Sequence, residues 1–90
     1  MGVILKKTLS VGEKKWSYIQ IPSKKVSEFP EKFNLYYNDK IFSAYINKAH
    51  RVVSKKLFLE LGLRIGSIVT IEKNDDKYLI TFKLGIKNSL

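Results

Sequence analysis

The sequence predicts a mainly β domain: a small barrel of about seven short strands with two short helices and pseudo-duplicated halves. Three observations predict it. Apolar and polar residues alternate at the strand period through several runs, as in "FNLYYN" and "KYLITF". Asn- and Asp-rich turns ("NDK", "NDD") join such runs into two hairpins. And "IPSKKV" at residues 21–26 is echoed thirty-one residues later by "VVSKKL" at 52–57. Each echo is a strand-like run that reaches a serine, two lysines and a branched apolar residue.

The elements follow in order. "VILKKTL" (3–9) has strand-forming residues and leads to a turn around Gly12. "WSYIQI" (16–21) sets Trp16 and Tyr18 against Ile19 and Ile21, so both faces of that strand are at least partly covered. Pro22 ends its hydrogen bonding because it has no N–H. "SKKVSEF" has room for only one or two helical turns before Pro30 disfavours helical geometry at Phe29. Residues 33–46 then form a hairpin, with Phe33, Leu35 and Tyr37 on one face of its first strand.

The second half repeats this plan. "HRVV" is a short strand, and Ser54 is an N-cap for the helix "KKLFLEL", which Gly62 terminates. Gly66 permits a turn into "SIVTIEK" (67–73), and "KYLITFK" (77–83) closes the second hairpin with Tyr78, Ile80 and Phe82 inward. Two-turn helices are unstable alone and must pack on a curved sheet. A sheet plugged in this way is a closed small barrel without exposed edges. The reading is one domain over 1–90, with a core over about 3–83 and a frayed tail over 84–90.

Composition narrows the function. Seventeen Lys and Arg against eight Asp and Glu give a net charge of +9. The excess is lopsided: residues 1–56 carry twelve basic and four acidic groups, residues 57–90 five and four. Such a field favours a polyanion, nucleic acid before an anionic membrane surface. With no cysteine and one histidine, a metal site and disulfides are not expected, and no cofactor is implied. No apolar run approaches the ~18–20 residues that span a bilayer, and the N-terminus lacks a signal-peptide pattern. A cytoplasmic location, nucleoid-associated if the partner is chromosomal, is expected. The carboxylates form no nuclease-like cluster, and neither a nucleophile–His pair nor a Gly-rich phosphate loop is present. The reading is a protein that is not an enzyme and takes no small-molecule substrate.

Two resemblances sharpen it. "HRVVSKKLFLELGLRIGSIVTIEKNDDKYLITF" resembles the strand, helix, Gly-turn and hairpin of the AbrB/MazE/SpoVT class of DNA-binding regulators, although Val53 and Ser54 stand where that class carries a proline. Taken whole, residues 16–83 are more similar to the DNA-binding pseudobarrel family. That family includes plant auxin- and abscisic-acid-response transcription factor domains and the DNA-recognition domains of some restriction endonucleases. "YIQIPSKKVSEFPEKF" resembles its first strand, "IP-K" turn and short helix, and "YINKAHRVVSKKLFLELGLRIGSIVTI" its central strands and Gly-turn. The resemblance implies double-stranded DNA as partner, clasped in the major groove by two arms. The first matches Ser23, Lys24 and Lys25; the second matches Asn47, Lys48, Ala49, His50 and Arg51.

The chemistry of those residues suits the role. Arg51 is one of two arginines, and a guanidinium can bond guanine O6 and N7 bidentately. Asn47 can do the same on adenine N6 and N7, or simply start a turn. Lys24 and Lys25 would hold phosphates and set register. Lys14 and Lys15, in the loop before Trp16, would extend that track. Lys55 and Lys56 occupy a helical first turn, where the macrodipole disfavours cations, and a phosphate would account for them. All these basic edges are expected on one flank.

Two other readings stay open. One is a single-stranded nucleic-acid or RNA binder stacking bases on Trp16 and tyrosines such as Tyr36 and Tyr45, although their strand spacing favours a core use. The other is an AbrB-like or double-psi-like protein-interaction module. Both halves are present in one chain, which favours a monomer over a swapped homodimer.

Overall fold

The two hairpins form as the alternation predicts. In this computed structural model, which describes residues 2–83, β3 (Lys32–Tyr37) pairs with β4 (Lys40–Ile46), and β6 (Ile68–Asn74) with β7 (Lys77–Lys83). Asn38 and Asp75 adopt left-handed φ values of 53° and 58° at the two turns, a conformation that short polar side chains tolerate. Leu35, Phe42, Ala44, Val69, Ile71, Tyr78 and Ile80 point inward and are buried, with Phe33, Tyr37 and Phe82 packed at the margin.

With β1 (Gly2–Thr8), β2 (Tyr18–Gln20) and β5 (Arg51–Val53), the hairpins make one seven-stranded sheet of order β1-β6-β7-β3-β4-β5-β2. Every pairing is antiparallel except β3 with β7. The sheet curls around the core as a half-barrel, which is the small pseudobarrel expected. A 3₁₀ helix (Ser23–Glu28) follows β2, and α2 (Lys55–Leu61) follows β5. α2 holds to the sheet through fully buried Leu57 and Phe58, and Gly62, at φ 65°, ends it. Each half thus runs strand, Ser-Lys-Lys, short helix, hairpin. The expected fraying over 84–90 lies outside the described residues.

Three local expectations are corrected. The largest concerns residues 11–16, which form a third helical segment, α1 (Val11–Trp16), in place of a turn and the start of a strand. "SVGE" is a capping box: Ser10 Oγ accepts from the Glu13 amide at 3.3 Å, and Glu13 Oε1 accepts from the Ser10 amide at 2.8 Å. Ser17, in left-handed conformation, then reverses the chain, so β2 begins only at Tyr18. Trp16 is therefore 66% exposed and is not a core residue.

The second correction is that the sheet is open, because β1 and β2 are its two edges. Side chains bridge the seam. Glu13, only 2% exposed, accepts from the Gln20 amide of β2 at 2.7 Å and from Lys7 Nζ of β1 at 2.6 Å. Lys7 Nζ also donates to the Gln20 carbonyl at 3.2 Å. Burial pushes the Glu13 carboxyl up, but the Lys7 contact and the Gln20 and Ser10 amides together outweigh it, and its pKa falls below the ordinary value. Third, Ser54 stands at the N-cap of α2 but does not cap with its side chain; its Oγ donates instead to the Ser43 carbonyl of β4 at 2.9 Å.

Candidate nucleic-acid interface

The site is built on the short β2–β5 ladder, in which Tyr18 faces Val53, Ile19 faces Val52 and Gln20 faces Arg51. Ile19 and Val52 are buried inward. Alternation therefore turns Tyr18, Gln20, Arg51 and Val53 outward, where all four are half-buried. Just past the ladder, the Ile21 amide donates to the His50 carbonyl at 2.9 Å. Pro22 then leads the chain into Ser23, Lys24 and Lys25, with the Lys25 amide donating back to the Pro22 carbonyl at 2.8 Å. The β4–β5 turn emerges at the same end. The two segments assigned as arms by resemblance are thus neighbours, joined through Ile21 and His50.

The turn is a three-residue loop. The His50 amide donates to the Asn47 carbonyl at 3.0 Å, and the Asn47 amide to the Arg51 carbonyl at 3.1 Å. His50 sits at φ 61°, the position such loops usually give to glycine. Asn47 Oδ1 accepts from the amides of Ala49 at 2.9 Å and Arg51 at 3.1 Å. Both its lone pairs are used inside the turn, so it cannot also accept from adenine N6. Of the two uses read in the sequence for Asn47, the structure shows the turn-forming one.

Gln20, which carried no sequence signal beyond being polar in an apolar run, organises the site. Its Nε2 donates to the carbonyls of Ala49 at 2.9 Å and His50 at 3.0 Å, while its Oε1 accepts from Arg51 Nε at 3.1 Å. The Arg51 guanidinium also lies over the Tyr18 ring, 4.3 Å from its centroid. Held on one edge and one face, Arg51 keeps both Nη groups unbonded among the described residues. Lys24 and Lys48 are exposed, and Lys25 is half-buried.

The expectation of one shared basic flank is corrected here. β2 and β5 run antiparallel, so the segments that follow them leave opposite ends of the ladder. Ser23–Lys25 joins the β4–β5 turn. Lys55 and Lys56 lie at the other end, where the Ser54 amide approaches the Ser17 carbonyl. Lys55 and Lys56 therefore do not extend the track of Lys24 and Lys25. Lys14 and Lys15 are also not in a loop; they sit in the last turn of α1, where cations favour the helix dipole. Among the described residues, no group of three or more His, Cys, Asp or Glu side chains comes together to hold a metal.

The left-handed His50 gives a first prediction. His50→Gly is expected to stabilise the fold by about 1 kcal/mol, because a Cβ is strained at that φ. Chemical denaturation checks it; a destabilised variant would mean that the His50 side chain contributes more packing than its backbone costs.

Fold and ladder together define an open seven-stranded pseudobarrel with two adjacent basic loops at one end. No family model matches the chain, and no curated protein matches it. Among solved structures it is similar to the Arabidopsis FUS3–DNA complex, with a TM-score of 0.65 at 14% identity, over 93% of this chain and 99% of that chain. The likeness spans nearly the whole of both chains and concerns their fold.

Proposed function

We propose that this chain is a double-stranded DNA-binding protein that performs no chemistry on its ligand, a transcription regulator or chromatin-associated protein. Ser23–Lys25 and the Asn47–Arg51 turn would enter the major groove side by side. Arg51 would address a guanine edge with its free Nη groups, and Lys24, Lys25 and Lys48 would hold phosphates. Asn47 and Gln20 would shape the turn without touching DNA. The observation that carries the reading is the convergence of both arms at one end of the β2–β5 ladder, with Arg51 held in place before any ligand arrives. The similar FUS3 structure, a complex with DNA by its title, supports it at the level of fold. One chain supplies both arms, so the reading needs only a monomer.

The test is duplex affinity measured across salt concentrations. Three phosphate-holding lysines predict a slope of log K against log salt of about −3, and NMR amide shifts confined to residues 23–25 and 47–51. A salt-independent affinity, or unmoved amides in those two segments, would overturn the proposal.

A further inference from the structure

A second surface lies at the opposite end of the ladder from the arms. There, residues 41–45 of β4 and 32–34 of β3 border an open groove of about 910 Å³ beside the end of β5 and the start of α2. Trp16, Ile41, Tyr45 and Val53 supply its exposed apolar surface, and Lys32, Lys55 and Lys56 its charge. Trp16 is 66% and Tyr45 48% exposed, a large aromatic area left in water on so small a domain. The capping box of α1 and the left-handed Ser17 are what turn Trp16 out onto this face.

The charge of the groove has one sign. No carboxylate lines it, and among the described residues Lys32, Lys55 and Lys56 form no ion pair. A fourth lysine, Lys15, places its ammonium 5.3 Å from the Trp16 ring centroid. Unneutralised lysines select an anion, and exposed aromatic faces among them select one with flat apolar parts. A nucleotide chain has both, since phosphates repeat along a backbone that carries planar bases. A duplex does not fit this chemistry, because its base faces are stacked on one another; a single strand presents them.

β4 pairs with β5 only at Tyr45 and Ile46, so residues 41–44 border the groove without a strand partner on that side. An acidic peptide added to that edge would use backbone bonds and leave the Trp16 and Tyr45 faces idle, whereas a single nucleotide strand engages both those faces and the lysines. We propose that this groove binds single-stranded nucleic acid, stacking bases on Trp16 and Tyr45 and seating phosphates on Lys32, Lys55 and Lys56. The site uses neither arm and stands independently of the duplex reading.

Trp16 is the only tryptophan of the chain and reports directly on the groove. Its fluorescence is titrated at low salt with oligothymidine and with oligouridine of about 10 nucleotides, which separates DNA from RNA as the source of the strand. Quenching by either is expected. Tyr45→Ala should weaken binding by about 10-fold, Tyr45→Phe should restore it, and Lys55→Glu with Lys56→Glu should abolish it. These side chains are exposed, and thermal melts establish that the variants fold. Arg51→Ala, which targets the proposed duplex site, should leave the quenching intact, so either site can fail without the other. Absent quenching, quenching indifferent to Tyr45→Ala, or equal quenching by polyglutamate or by a duplex overturns the proposal.

Discussion

Replacing Glu13 with alanine is expected to lower the melting temperature by about 12–24 °C. Glu13 is 2% exposed, and its carboxylate accepts from three donors: the Ser10 amide, the Gln20 amide and Lys7 Nζ. Deleting it orphans two backbone donors and removes the one charge partner Lys7 has among the described residues. Losing one member of a buried charged pair costs about 3–5 kcal/mol, but the Lys7 side chain is 25% exposed and regains water. About 3 kcal/mol is the balanced expectation. In a sheet whose edges β1 and β2 do not pair, that loss falls on the seam itself. Glu13→Gln separates charge from hydrogen bonding, since its amide keeps one acceptor but turns donors toward other donors; about 2 kcal/mol is expected.

The pH dependence has a definite sign. The folded pKa of Glu13 lies below the ordinary carboxylate value, so the folded state binds its proton less readily than the unfolded chain does. Its contribution is therefore complete above the unfolded value of about 4.3 and is lost as pH falls through the lowered folded value. Wild type and Glu13→Ala should differ most near neutrality and converge in acid. Melting curves collected down through the carboxylate range check this. A gap that persisted unchanged in acid would show that the missing carboxylate acts through packing and not through charge.

How much of this could be read beforehand depended on whether a signal was local. Both hairpins were legible because period-two alternation and Asn/Asp turns are properties of neighbouring residues, as at Leu35–Asn38 and Asp75–Ile80. α2 was legible through its apolar face and Gly62. α1 was equally local, since Ser10 and Glu13 stand at capping-box spacing, but the strand-like "WSYIQI" beside it suggested a longer strand. The open seam was not legible. Which strands become edges is settled by long-range pairing, and no residue of β1 or β2 announces it.

The doubled Ser-Lys-Lys misled for a geometric reason. A repeat in sequence implies similar local structure, and both copies do lead from a strand into a short helix. It does not imply similar direction in space, and antiparallel pairing of β2 with β5 sends the copies apart. The arms survive because Ile21 bonds to His50, a contact across 29 positions that no motif encodes. Gln20 was invisible for the same reason: its importance lies wholly in the Ala49 and His50 carbonyls and the Arg51 Nε brought against it.

Arg51→Lys is expected to remove sequence discrimination while leaving most non-specific duplex affinity. Lysine retains the charge that attracts phosphates but has no planar fork with which to hold guanine O6 and N7. It also loses the Nε bond to Gln20 and the flat contact on Tyr18 that fix the side chain. On a duplex selected from a randomised pool, a loss of about 10–100-fold is expected, from the ~1–3 kcal/mol carried by one bidentate contact. On random duplex the loss should be small. Lys24→Ala should show the opposite pattern, weakening all sequences alike and reducing the salt slope by about 1. Gln20→Ala tests whether holding Arg51 in advance matters. Freeing a long side chain that must be ordered again on binding costs about 0.5–1.5 kcal/mol, hence a loss of roughly 2- to 10-fold. That loss should vanish when Gln20→Ala is made in the Arg51→Ala background, because there is no longer a guanidinium to position. If it persists undiminished there, Gln20 acts by supporting the β4–β5 turn through Ala49 and His50. If Arg51→Lys discriminates among duplexes as well as wild type does, Arg51 does not read a base.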